Sequence, residues 1–290
     1  MNGWALSMEY GSTYGRVRWD LFGGGPPLVL VHGTPFSSYV WRKVVPALAE
    51  ANTVYAFDLP GYGFSEMRVG QDVSLAAQGR VLSELLDHWG LDKPAVVGHD
   101  FGGAITLRAH LLEGRDFRAI ALIDAVALSP WGSPFYRLVQ DHVGVFRHIP
   151  AYMHEAMVAA YVRDATYVPM DDATLKPYIE PWLGPEGQDA FYRQIFQNDP
   201  RYTDEVQPPL HSHRTARADR VGRRGPVDTA REGRTVARSH TRLATEDDTP
   251  LCPPRPGGRP RGRGRVTHGL FRSVGACSAG VAAAARSGDC

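Results

Sequence analysis

Cysteine and long apolar runs are scarce in this chain, and the scarcity of each excludes a class of protein. The 290 residues hold three cysteines, and none of them precedes Cys252, so the earlier part can form neither a disulfide framework nor a thiolate zinc site. No run approaches the roughly 18–20 apolar residues of a membrane span, and the N-terminus lacks the basic-then-apolar layout of a secretion signal. These absences predict a cytoplasmic protein without a structural metal or a membrane partner.

Charge divides the chain into two unlike parts at Leu210. Residues 1–210 carry 16 Lys and Arg against 24 Asp and Glu, whereas residues 211–290 carry 16 against 7, and all 16 are Arg. The second part has a single aromatic residue, Phe271. Because such a composition cannot bury an apolar core, we predict that residues 209–290 form a disordered tail rich in Arg, Gly and Pro.

Strands and helices alternate in the first half of the chain. Apolar, β-branched runs predict five strands, at 16–22, 27–31, 53–57, 94–98 and 118–123. Apolar residues at helical spacing predict helices at 39–51, 75–89 and 101–113, with Ser74 as the cap of the second. This order is typical of an α/β fold whose mainly parallel sheet carries helices on both faces. We expect the strand at 118–123 to be buried.

The pattern changes after residue 127. From Leu128 to about Arg201 the chain is helical, rich in Trp, Tyr, Phe and Met, and interrupted by prolines. We therefore predict that residues 1–127 form the core and that residues 128–208 form a helical cap above the sheet.

The segment GHDFGG at 98–103 lies where a strand passes directly into a helix. This arrangement is typical of a nucleophile elbow, here with Asp100 as the nucleophile. The turn needs small residues on either side, and Gly98 and Gly102 supply them. The helix N-terminus directs free N–H groups at the site, which stabilises a carboxylate. The alternative is an ordinary turn in which Asp100 only caps the helix.

An earlier strand ends in a second motif, formed by His32, Gly33, Thr34 and Pro35. In this architecture the loop donates the backbone N–H of Thr34, which pairs with that of Phe101 in an oxyanion hole. We interpret His32 and His99 as structural residues rather than as proton carriers.

Together with the turn DLPGYGFS at 58–65, these motifs resemble the α/β-hydrolase superfamily over residues 16–208. Within it, the chain is similar to the aspartate-nucleophile branch of haloalkane dehalogenases, fluoroacetate dehalogenases and epoxide hydrolases. The resemblance implies that Asp100 attacks an electrophilic carbon of a small hydrophobic organic substrate and forms an ester. A His-activated water then hydrolyses the ester, and no cofactor is needed.

The chain departs from each relative in a way that leaves the substrate open. Haloalkane dehalogenases usually bind the halide with Trp after the nucleophile and Asn in the first loop, where this chain has Phe101 and Thr34. Epoxide hydrolases need two cap tyrosines, for which there are six candidates: Tyr136, Tyr152, Tyr161, Tyr167, Tyr178 and Tyr192. Asp124 stands where some dehalogenases keep the acid that orients the His, although many relatives have a structural Asp there.

The final strands of this fold and its catalytic His have no counterpart in the sequence. The histidines after Leu210 are His211, His213, His240 and His268, and none follows an apolar strand. If the gene is read one base later, permitted codons turn Arg214–Glu232 into ELPVLIVWGEEDRWIPPE and Pro253–Arg263 into HLVQEDAPEA. These strings resemble the missing strand, its acid turn and the His segment, so we hypothesise a one-base frameshift near Pro208 and Pro209.

The composition of the tail allows two other interpretations. An Arg-rich arm could bind RNA or another polyanion, but nucleic acid is not expected because the tail lacks aromatic residues that stack on bases. A hydrolase-like binding protein or pseudogene product without its His could form the ester and fail to release it.

Overall fold

The structure, a computed structural model, describes residues 4–209, and its central feature is one six-stranded sheet. The strands are β1 (Met8–Ser12), β2 (Gly15–Gly23), β3 (Pro27–Val31), β4 (Thr53–Phe57), β5 (Ala95–His99) and β6 (Ala119–Ile123). Their order is β1-β2-β4-β3-β5-β6. The pairs β1–β2 and β2–β4 are antiparallel, and the rest of the sheet is parallel. The predicted α/β architecture is confirmed; β1 is a strand that the sequence did not predict.

Nine α-helices accompany the sheet in the described range. They are α1 (Val45–Leu48), α2 (Leu75–His88), α3 (Phe101–Leu111), α4 (Pro134–Asp141), α5 (Val143–Phe146), α6 (Ala151–Asp164), α7 (Asp172–Ile179), α8 (Gly184–Gln197) and α9 (Arg201–Asp204). The Ser74 side chain accepts from the N–H of Ala77 and caps α2 as predicted. No described helix is long and apolar enough to cross a membrane.

The helix predicted at 39–51 is wrong in its length. The structure has a 3₁₀ turn, Ser38–Trp41, and then the single-turn helix α1. Pro46 lies in the first turn of α1. Because proline has no N–H to donate, it is accepted there but would break a helix that continued through it.

The prediction that the strand at 118–123 is buried is also wrong. The neighbouring strand β5 is buried at every position, whereas β6 alternates between exposed and half-buried residues, and Leu122 is 37% exposed. Among the described residues, β6 pairs only with β5, so one of its edges has no partner strand. An apolar strand of a parallel sheet is normally covered on both faces. The free edge explains why the sequence pattern and the observed burial disagree.

Helices α4 to α9 follow β6, in agreement with the predicted change of pattern, although the domain boundary itself stays a prediction. Helix α8 packs against α4, α5 and α6. Trp182 Nε1 donates a hydrogen bond of 2.8 Å to the carbonyl oxygen of Pro35, and Arg42 Nη1 donates one of 2.6 Å to the hydroxyl of Tyr178. The helical segment therefore contacts the loop that follows β3.

Residues 210–290, and with them the predictions about the tail and its histidines, lie outside the described range.

Candidate active site

Asp100 occupies the junction between β5 and α3 in a strained backbone conformation. Its φ is +53° and its ψ is −121°, a combination of backbone angles that residues other than glycine rarely adopt. Its N–H donates to the carbonyl of Ile123, and its carbonyl accepts from the N–H groups of Gly103 and Val126, at 2.9–3.1 Å. Asp100 starts α3 without capping it through its side chain. The end of β6 therefore helps to hold the strained residue in place.

Three glycines make this close approach possible. A Cβ on Gly102 would overlap the carbonyl of Val31, and one on Gly98 would lie 2.6 Å from the carbonyl oxygen of Gly102. A Cβ on Gly33 would overlap the Asp100 side chain. The absence of a side chain at all three positions lets β3, β5 and the start of α3 meet around Asp100.

Gly102→Ala is expected to destabilise the protein by about 3 kcal/mol, because the new methyl group would collide with rigid backbone rather than with a flexible side chain. The matched control is Gly144→Ala, since Gly144 is also helical and a Cβ there meets nothing within 4 Å. Urea unfolding of both variants measures the difference. Equal midpoints for Gly102→Ala and the wild type would contradict this account of the elbow.

The Asp100 carboxylate receives both of the amide donors named from the sequence. The N–H of Thr34 donates to Asp100 Oδ1 at 2.8 Å, and the neighbouring N–H of Phe101 lowers the pKa of the same carboxyl group. Burial raises the pKa of Asp100 to about 7; the two amides oppose that rise, and the nearby charge of Asp124 adds to it. The result is a buried carboxyl group that titrates near neutral pH.

Asp124 lies directly after β6 and has a positive φ of 45°. Burial raises the pKa of its carboxyl group, and its charge acts on Asp100. The structure thus brings Asp124 close to the candidate nucleophile, and its role as a catalytic acid stays a prediction.

His32 and His99 are both buried, and neither is hydrogen-bonded to the Asp100 carboxylate. His32 Nε2 accepts from the N–H of Leu59, and Nδ1 donates to the carbonyl of Gly33, each at 3.0 Å. Burial lowers the pKa of His32, and burial lowers the pKa of His99 to about 4. Both rings are therefore neutral at pH 7.

Two of the six tyrosine candidates lie within electrostatic range of Asp100. Burial raises the pKa of Tyr136 and of Tyr161, and the charge of Asp100 raises each further. Tyr161 also interacts with the side chain of Ser133. Both hydroxyls are protonated at neutral pH and can act as hydrogen-bond donors; that of Tyr136 donates to the carbonyl of Asn198 at 3.5 Å.

The other four tyrosines are placed elsewhere. Tyr152 and Tyr167 are 74% and 57% exposed. The hydroxyl of Tyr178 accepts from Arg42, and that of Tyr192 contacts Nδ1 of His154 at 3.0 Å.

The site contains two residues that sequence reasoning missed, Tyr62 and Gln194. Both the hydroxyl of Tyr62 and Oγ1 of Thr34 donate to Gln194 Oε1, at 3.1 and 2.8 Å. Tyr62 belongs to the turn at 58–65, so its position could have been suspected. Gln194 lies 160 residues from Thr34 in a helix without a motif, and no sequence signal marks it.

No cluster of three or more His, Cys, Asp or Glu side chains suited to a metal ion occurs in the part of the chain that the structure describes. The donors around Asp100 are amides and hydroxyls, which suit an organic substrate and its leaving group.

Comparisons with known proteins agree with this geometry. The family model of the alpha/beta hydrolase fold matches residues 26–162. A crystal structure of an alpha/beta hydrolase fold protein from Burkholderia ambifaria is 46% identical, with a TM-score of 0.70, and the match covers 71% of this chain and 76% of that one. The chain belongs to the α/β-hydrolase fold family.

Two curated relatives match shorter stretches. A soluble epoxide hydrolase of Corynebacterium sp. (strain C12) is 48% identical over 91 residues, which are 31% of each protein. A haloalkane dehalogenase 2 of Mycobacterium bovis is 33% identical over 116 residues, which are 40% of this chain and 41% of that protein. The aligned part of the chain thus spans only 31% and 41% of the length of these two relatives.

Proposed function

We propose that the protein is a hydrolase that acts through an ester on Asp100, formed with an electrophilic carbon of a small organic substrate. The observation that carries this proposal is the buried, strained Asp100 whose carboxylate faces two backbone amides. The N–H of Thr34 holds Asp100 Oδ1, which leaves Oδ2 as the oxygen that attacks. When water adds to the ester, the negative charge develops on Oδ1, to which the N–H of Thr34 already donates.

Ester formation should rise with pH around an inflection near 7. Only the carboxylate attacks, and burial raises the pKa of Asp100 to about 7. Roughly 1% of the group is then ionised at pH 5 and about 90% at pH 8. The rate of adduct formation, followed by intact mass spectrometry with an alkyl halide, should therefore increase about 50- to 100-fold over this range. Circular dichroism at both pH values is the control for folding. An inflection near 4, as for an exposed aspartate, would contradict the buried site.

The second step needs a general base, which we propose the chain as translated does not supply. Neither His32 nor His99 is hydrogen-bonded to the Asp100 carboxylate, and both have lowered pKa values. We further propose that a frameshift of one nucleotide near Pro208 and Pro209 removed the catalytic general base together with the last strands. The free edge and half-exposed apolar side chains of β6 support this proposal, because restored strands would cover them.

Both haloalkanes and epoxides fit the proposed first step. The relatives include one protein of each kind, and the protonated hydroxyls of Tyr136 and Tyr161 could serve an epoxide oxygen. The test incubates the full chain with 1-bromohexane and, separately, with styrene oxide, and records the intact mass. One equivalent of either adduct supports the proposal and identifies the class. No adduct with any haloalkane or epoxide, in a protein shown to be folded, would overturn it.

A further inference from the structure

The side-chain oxygen of Gln194 is hydrogen-bonded to two hydroxyl groups. It lies on α8, is fully buried, and its Oε1 accepts hydrogen bonds from Thr34 Oγ1 and from the Tyr62 hydroxyl. Two donors fill both acceptor positions of that oxygen. The amide plane is thus fixed, and with it the direction of the two N–H bonds of Nε2.

Those two N–H bonds have no partner. Gln194 Nε2 is buried and makes no hydrogen bond with any described residue. Leaving a buried donor unsatisfied costs free energy, so such groups are rare in native proteins and each calls for an explanation. The hydrogen bonds from Thr34 and Tyr62 hold the amide group of Gln194 in place, so its unsatisfied donor is a fixed feature of the structure.

The unpaired donor lies next to the proposed nucleophile. Thr34 joins the two groups directly, since its N–H holds Asp100 Oδ1 while its Oγ1 holds Gln194 Oε1. The charge of Asp100 also contributes to the raised pKa of Tyr62, the second residue that holds the amide. The Thr34 bridge therefore places the amide of Gln194 near the Asp100 carboxylate, and the electrostatic effect of Asp100 on Tyr62 agrees with that placement.

We propose that Gln194 Nε2 donates a hydrogen bond to the electronegative atom that departs from the carbon attacked by Asp100. This inference rests on the proposed function. As the bond between Asp100 Oδ2 and carbon forms, the bond from carbon to its halogen breaks and the halogen leaves with the electron pair as halide. In an epoxide the ring C–O bond breaks instead, and the oxygen takes up a proton from water. In both cases negative charge grows on the departing atom, and a hydrogen bond from Gln194 Nε2 would stabilise that charge.

The test compares variants of the full 290-residue chain in which the donor is removed. Gln194→Met keeps the length of the side chain and removes the amide. Gln194→Glu keeps an acceptor for Thr34 and Tyr62 and removes the N–H donor, but it also adds an ionisable carboxyl group, so this variant is judged by its leaving-group ratios and not by its absolute rates. The matched control is Gln188→Met, because Gln188 is a buried amide on the same helix whose Nε2 donates to the carbonyls of Arg147 and Ile149. Each variant is first checked for the wild-type circular dichroism and melting temperature.

The readout is the rate of adduct formation with 1-chlorohexane, 1-bromohexane, 1-iodohexane and styrene oxide, measured by intact mass. Gln194→Met should slow the chloride reaction about 10- to 100-fold. In both variants the iodide reaction should slow several-fold less than the chloride reaction, because iodide is a weaker hydrogen-bond acceptor. A purely structural role would slow all four reactions equally, and Gln188→Met should leave the ratios unchanged. A selective loss with styrene oxide instead assigns the donor to an epoxide oxygen.

The outcomes separate this inference from the proposed function. If the wild type forms no adduct with any of the four compounds, the proposed function has failed. If the wild type reacts and the folded Gln194 variants keep its rates or its leaving-group ratios, the function stands and the role of Gln194 is overturned. If Gln194→Met does not fold, Gln194→Glu decides, because it retains acceptors for both hydroxyls.

Discussion

The Asp100→Asn variant should form no ester with substrates that modify the wild type. The amide is nearly the same size as the carboxylate and still offers an oxygen to the N–H of Thr34, but its nitrogen is not a nucleophile. Loss of a nucleophile that acts as part of a preorganised site costs about 10⁴-fold or more in rate. Intact mass spectrometry after incubation with 1-bromohexane at pH 8 measures the effect directly.

The expected stability of the Asp100→Asn variant and a control variant keep this result from being explained by unfolding. Burial raises the pKa of Asp100 from its unfolded value near 4 to about 7, so the wild type loses stability as the pH rises through that range. Asn has no charge to bury, and the variant should be more stable than the wild type above pH 7, by an amount on the order of 4 kcal/mol. Asp124→Asn is the matched control and should retain ester formation. A reactive Asp100→Asn variant would show that another residue is the nucleophile.

Restoring the reading frame should turn a single esterification into turnover. Removal of one base at the codons for Pro208 and Pro209 replaces the Arg-rich tail by the strand, acid turn and His segment deduced above. A positioned general base contributes about 10²- to 10⁴-fold to hydrolysis. The alcohol or diol released per protein molecule, measured with the substrate that labels the present chain, should therefore exceed one in the restored protein and stay near zero in the present chain.

The control for this prediction is the restored protein carrying Asp100→Asn, which should not turn over. Resequencing independent template DNA across the codons for Glu205–Arg214 shows whether the extra base belongs to the gene. A restored protein that folds, forms the ester and still does not release it would contradict the frameshift explanation.

Short sequence patterns were sufficient to predict most of the fold and the nucleophile elbow at Asp100. The four parallel strands, the cap at Ser74 and the motif around Asp100 are encoded within short windows, because hydrophobic period and turn chemistry act over a few residues. Thr34 and Phe101 could be named as donors because both follow strands whose carboxyl ends meet at one edge of the sheet.

What the sequence could not provide depended on distant contacts. The exposure of β6 depends on which strand lies beside it. The 3₁₀ turn in place of a longer helix is different, because Pro46 is a local signal that the predicted helix at 39–51 passed over. Gln194 enters the site through hydrogen bonds to residues more than a hundred positions away. The pKa of Asp100 depends on burial, which only the packed structure reveals.

The central claim is that Asp100 becomes covalently attached to the substrate, and peptide mapping tests it most directly. The full chain is treated with 1-bromohexane or styrene oxide at pH 8, digested, and sequenced by tandem mass spectrometry. The account predicts one modified residue, Asp100, carrying the hexyl or hydroxyphenylethyl group as an ester. A label on any other residue, or none on Asp100 in a folded protein, would contradict it.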